Sequence, residues 1–96
     1  MIGITMKELI ECVSNGHDAE FTYQGKTYVL QPEKNTNGIF LVIWIISPES
    51  KCICSYPIPE DQEIPPEIVE KVLNEKCFNG KSFMEIERQI TVEVIY

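Results

Sequence analysis

The stretch "IFLVIWII", residues 39–46, is the strongest structural signal in the chain. It is β-branched and aromatic, and Gly38 and Pro48 bound it, as turn residues bound a strand. Side chains alternate across a strand, so Ile39, Leu41, Ile43 and Ile45 point one way. Phe40, Val42, Trp44 and Ile46 point the other. Both sets are apolar, so both faces ask for cover and the run reads as the central strand of a sheet. At eight residues it falls far short of the roughly 20 that a membrane-spanning helix needs.

Working outward toward the N-terminus, "AEFTYQGKTYVL" sets Phe21 and Tyr23 against Glu20 and Thr22. It predicts a hairpin of strands over residues 19–23 and 26–31, with Gln24-Gly25 as the tight turn. Pro32 ends the second strand because it has no N–H to offer a ladder, and "PEKNTNG" is a loop. Further upstream, Thr5-Met6-Lys7-Glu8 has the form of a capping box. Met6, Leu9, Ile10 and Val13 follow at helical spacing and Gly16 supplies a left-handed stop, which predicts a helix over residues 6–15.

On the C-terminal side, "SPES" turns the chain and residues 51–56 return as a fourth strand. "PIPEDQEIPP" is an extended linker, since prolines disfavour helix just before them. Pro66 suits the first turn of a helix. Ile68, Val69, Val72, Leu73 and Cys77 give that helix one apolar face, and Asn79-Gly80 stops it. Ser82-Phe83-Met84-Glu85 is a second capping box opening a short helix to Arg88. "ITVEVIY" alternates as a last strand. The order α-β-β-β-β-α-α-β predicts a single α+β domain over residues 1–96. Its sheet is largely antiparallel with about five strands, beside two to three short helices.

Composition narrows the function. The formal charge is −7, from 15 acidic and 8 basic residues. Most of it lies between Pro57 and Glu75, where Glu60, Asp61, Glu63, Glu67, Glu70 and Glu75 stand against Lys71 alone. No basic cluster exists to meet a phosphate backbone or an anionic membrane surface. Direct nucleic-acid binding and membrane binding are therefore not expected. The opening "MIGITMKELIECVSNG" has charges inside it and no cleavage pattern, so the cytoplasm is the expected location. Reduced thiols are then the expected state of Cys12, Cys52, Cys54 and Cys77.

Three features invite chemistry. Gly80-Lys81-Ser82 ends like a phosphate-binding loop, but that pattern needs a glycine where Glu75 stands and a strand where a helix is predicted. Glu85 and Glu87 would also repel an anion there. Cys52-Ile53-Cys54 is C-x-C rather than a zinc knuckle. Residues i and i+2 share a face of a strand, so both thiols would point together and join Cys12 or Cys77 in a metal or redox site. Burial as ordinary cysteines competes with that reading. His17, the single histidine, follows Gly16 at a helix end, where a structural role is expected. No spacing supplies it with a nucleophile, and the polar linker gives no carboxylate the burial that acid–base work needs. No catalytic, cofactor or metal residue is expected, and the protein is read as not an enzyme.

The layout "MKELIECVSNGHDAEFTYQGKTYVL…FNGKSFMEIERQITVEVIY" resembles a type of small bacterial or phage-borne protein. In that type a short helix precedes an F-x-Y-x-G-K-x-Y hairpin, and NGKS, a short helix and a strand close the chain. The likeness covers both ends and fades through the middle. It implies an intracellular accessory protein encoded on a mobile element, and it carries over no activity and no functional residue.

The reading that results is a non-catalytic protein-binding domain. Few helices are available to cover a strand that is apolar on both sides, so one face is expected to bury itself against a partner or a second copy. The acidic run would select a basic partner. Expected partner-binding residues are Glu60, Asp61, Glu63, Glu67, Glu70 and Trp44. The alternatives are an acidic inhibitor occupying the nucleic-acid site of a host enzyme, and a thiol or metal protein.

Overall fold

Thr5 opens the first helix as its sequence predicts. A computed structural model describes residues 1–59 and 63–96. In it α1 spans Met6–Ser14. The Thr5 hydroxyl accepts the Glu8 N–H at 3.2 Å, and the Glu8 carboxylate accepts the Thr5 N–H at 3.2 Å. Strands β1 (Ala19–Tyr23) and β2 (Lys26–Asn35) follow as a hairpin. Gln24 and Gly25 have φ of 50° and 76°, the positive pair that a two-residue hairpin turn requires.

Strand β2 does not stop at Pro32, as the sequence predicts, but continues to Asn35. Pairing with β1 ends at Ala19 opposite Leu30, so beyond Leu30 the strand has a neighbour on one side only. Pro32 sits opposite Leu41 in that half-open stretch, where a missing N–H is tolerated. The same reasoning corrects the next boundary. Strand β3 is Gly38–Ser47 and β4 is Lys51–Ile58, running through Pro57 because β4 is an edge strand.

Helix α2 spans Pro66–Asn74 with proline in its first turn. It ends three residues before Cys77, so Asn79-Gly80 is not its stop. Those two residues, at φ 53° and 84°, instead form a separate tight turn closed by two backbone hydrogen bonds between Phe78 and Lys81. Ser82 then caps α3 (Phe83–Ile86), which runs on as a 3-10 turn, Glu87–Gln89. Strand β5 is Thr91–Ile95.

The sheet order is β4-β3-β2-β1-β5, and every adjacent pair is antiparallel. The fold is thus α+β, with five strands and three α-helices among the described residues. The apolar strand β3 is interior but not central, since β2 holds the middle place. The last strand joins beside β1, so β1 is buried between β2 and β5.

All three helices pack on one face. Leu9 and Val13 of α1, Val69, Val72 and Leu73 of α2, and Phe83 and Ile86 of α3 share one core with Phe21, Leu30, Leu41 and Ile43. Phe21 is its aromatic centre, stacked on Tyr28 at 5.2 Å and meeting Phe83 edge-on. Each such buried side chain contributes about 1.5–3 kcal/mol. No helix among the described residues is long and apolar enough to cross a membrane.

Candidate functional site

Strand alternation turns Phe40, Val42, Trp44 and Ile46 away from the helices. The register places Pro57 beside Phe40, Ser55 beside Val42, and Cys52 and Val29 on either side of Trp44. Ile46 is 43 % exposed. Val42 and Val29 are only 2 % and 9 % exposed, yet neither belongs to the core cluster. They form the floor of a second apolar layer on the outer face, over which no helix packs among the described residues. Both faces were expected to need cover; among the described residues helices pack on one face alone.

Trp44 is half-buried, and its indole N–H is the feature of this face that asks for explanation. It is buried and has no acceptor among the described residues. An indole nitrogen can only donate, so the group lacks the partner that buried polar groups normally have.

The rim of the outer face is acidic. Glu33 lies opposite Phe40, and Glu20 lies opposite Val29. Glu93, at the irregularity where β5 meets β1, accepts a hydrogen bond from the Thr22 hydroxyl at 3.3 Å. The outward strand positions among the described residues include no lysine or arginine: Lys26 and Lys34 fall on the other phase of β2, and Lys51 opposes inward Ile45.

The other expected partner-binding residues lie elsewhere. Glu67 and Glu70 occupy the exposed side of α2, and exposed Glu63 precedes it. They sit on the helical side of the sheet, so the structure does not bring them to Trp44. Glu60 and Asp61 lie outside the described residues. Ile64, next to Glu63, is buried and holds the linker down, its carbonyl accepting the Ser14 hydroxyl and its N–H bonding the Ser14 carbonyl. Glu70 borders a groove of about 660 Å³ between α1 and α2, with Met6, Ile10 and Met84 below and Lys7 and Glu11 beside it.

Cys52 and Cys54 do not share a face. Pairing runs from Ile43 opposite Cys54 directly to Trp44 opposite Cys52, which leaves Ile53 as an extra, bulged residue. The bulge resets the alternation, so Cys54 goes in with Ile43 and Cys52 goes out with Trp44. Among the described residues no three His, Cys, Asp or Glu side chains gather as metal ligands. His17 uses its Nδ1 on the main-chain oxygen of Tyr96 at 2.6 Å, a structural link across the chain. Around Gly80-Lys81-Ser82 the Glu85 carboxylate takes the Ser82 N–H, and α3 is four residues long.

Reading from sequence singled out Trp44 but not its surroundings. Phe40, Val42 and Ile46 were legible from the same alternation and Glu20 from its own, whereas Glu33 fell in a predicted loop and takes its place only because β2 continues past Pro32. No family model, no curated protein and no solved structure matches the chain.

Proposed function

We propose that the chain is a non-catalytic protein-binding domain that docks a basic protein on the outer face of its sheet. The observation that carries this reading is the outer-face stripe Phe40, Val42, Trp44 and Ile46, over which no helix packs among the described residues and from which Ile46 stands exposed. A partner seated there would cover exposed Ile46 and the half-buried rings of Phe40 and Trp44. The rim supports a basic partner over a second copy. Two copies meeting face to face would set Glu20, Glu33 and Glu93 against the same carboxylates, and like charges facing each other oppose association. The acidic residues of α2 contribute long-range attraction to the same partner. Four free cysteines support the cytoplasm as its location, and the resemblance of the chain ends supports a mobile-element accessory role.

An acidic inhibitor shaped like nucleic acid is not carried forward, because its carboxylates would need to form one stripe. Among the described residues they divide between the two sides of the sheet.

The test is affinity capture from the native host with the wild type, Ile46→Glu, the pair Glu20→Lys/Glu33→Lys, and Glu70→Lys. Expected is a basic protein retained by wild type and by Glu70→Lys, and lost by the two outer-face variants. When purified, it should shift the emission of Trp44, the one tryptophan of the chain. Capture that survives the outer-face changes and fails with Glu70→Lys would move the site to the α1/α2 groove. Wild type sedimenting as a dimer that Ile46→Glu dissociates would make a second copy the occupant.

A further inference from the structure

A cavity of about 290 Å³ opens at one end of the sheet, bordered by residues of three tight turns: Gln24 of the β1–β2 hairpin, Glu49 between β3 and β4, and Asn79. On the inner face at that end Tyr23 pairs with Lys26, Tyr28 lies opposite Ile45, and Ile45 lies opposite Lys51. Phe78 fixes both tyrosine rings, meeting Tyr28 at 5.2 Å and Tyr23 at 6.0 Å. The two tyrosines are only 8 % and 5 % exposed, and both line the cavity. Neither phenol hydroxyl has a hydrogen-bond partner among the described residues, yet neither oxygen is sealed off as the Trp44 indole nitrogen is. On side chains so buried, the cavity supplies that access. Burial pushes the Tyr28 phenol up, so it remains a protonated donor at neutral pH. Lys26, Lys51 and Glu49 line the same cavity, and among the described residues none of the three forms an ion pair.

We propose that this cavity binds a small zwitterion of net negative charge, with the chemistry of a free acidic amino acid. Two lysines and one glutamate complement two carboxylates and one ammonium. The phenols of Tyr23 and Tyr28 add two donors for carboxylate oxygens, and a hydrogen bond to a charged acceptor is stronger than one to a neutral group. A phosphate or a simple dicarboxylate would leave Glu49 without a counter-charge. A diamine would set like charge against both lysines. An apolar ligand would displace water from the phenols and leave two buried donors without partners. The volume lies at the small end of the range for ligand cavities, as suits a molecule of amino-acid size. The site is on the helix-bearing side of the sheet, so it is independent of the outer face around Trp44.

The test follows the backbone amides by NMR while L-glutamate or L-aspartate is titrated into the protein. Glutarate, which lacks the ammonium, L-glutamine, which lacks the second carboxylate, and inorganic phosphate are titrated in parallel. Expected are saturable shifts at Gln24, Lys51 and Asn79, with an acidic amino acid bound more tightly than any of the three controls. Glu49→Gln should bring glutarate level with glutamate. Lys26→Gln/Lys51→Gln should weaken the amino acid about tenfold or more, the loss expected when hydrogen bonds to a charged group are removed. Tyr23→Phe/Tyr28→Phe should weaken it as well while keeping the ring contacts. If the tyrosine variant does not fold, wild type and the change at exposed Glu49 decide alone. No saturable shift with either amino acid, or glutarate or phosphate bound as tightly by wild type, would overturn the proposal.

Discussion

Ser82 and Glu85 hold each other twice. The Ser82 hydroxyl accepts the Glu85 N–H at 3.2 Å, and the Glu85 carboxylate accepts the Ser82 N–H at 3.1 Å. Ser82 is buried, so water cannot readily replace its oxygen. Ser82→Ala is expected to cost about 1 kcal/mol through the lost cap. Urea denaturation measures that cost, and a nucleotide titration of the same variant should show no change. Loss of nucleotide binding in Ser82→Ala would restore the phosphate-loop reading of Gly80-Lys81-Ser82.

Gly3 is needed for a backbone reason. Its φ is +101°, and a Cβ there would lie 2.6 Å from the main-chain oxygen of Val92. Gly3→Ala is expected to cost about 1–3 kcal/mol, the range for a residue forced into a sparsely populated conformation. The damage should be local. The Val92 N–H, bonded to the Ile2 carbonyl at 2.9 Å, should lose hydrogen-exchange protection before the β2–β3 ladder does.

Trp44→Phe separates stability from recognition. The change removes a buried donor that has no acceptor, and such a donor costs free energy in the unbound protein. The variant is expected to be at least as stable as wild type, with a gain of up to about 1 kcal/mol. Its affinity for the captured partner should fall. A variant that keeps full affinity would show that the Trp44 ring is not part of the docking surface.

Acid should loosen both capping boxes. The Glu8 carboxyl lies below its ordinary range because Thr5 bonds it, and that of Glu85 does so mainly because Lys76 bonds it. Each folded-state value is lower than the unfolded one. Their contribution is therefore complete above the unfolded carboxylate pKa and is lost as pH falls through the folded values. Urea midpoints of wild type and of Glu8→Gln/Glu85→Gln should converge as the pH drops through that window. A constant gap between them down to strong acid would refute the linkage.

Local chemistry made much of this fold legible. Thr5–Glu8, Ser82–Glu85 and Gln24-Gly25 each decide their conformation within four residues, and all three form as predicted. What was not legible depended on a neighbouring strand. Pro32 reads as a stop until β1 is seen to end opposite Leu30. Cys52 and Cys54 read as neighbours until the pairing with β3 reveals the extra residue at Ile53. Trp44 and the acidic residues Glu67 and Glu70 read as one partner surface until the helices are seen to lie on the face opposite Trp44.

The bulge at Ile53 and Pro57 together govern how this protein meets copies of itself through its backbone. Both lie on β4, an open edge of the sheet; on the other edge Ile2 bridges Thr91 in parallel, and the pairing of β5 with β1 has an irregularity of its own. A bulge kinks the open border and a proline deletes one of its donors, so an incoming strand finds no straight ladder to extend. Fibre-like growth by strand addition is thereby discouraged, although Ile46 and Val94 stay exposed on the outer face. An apolar outer face and resistance to cross-β polymerisation can coexist in a chain this small because they fall on perpendicular directions of the same sheet.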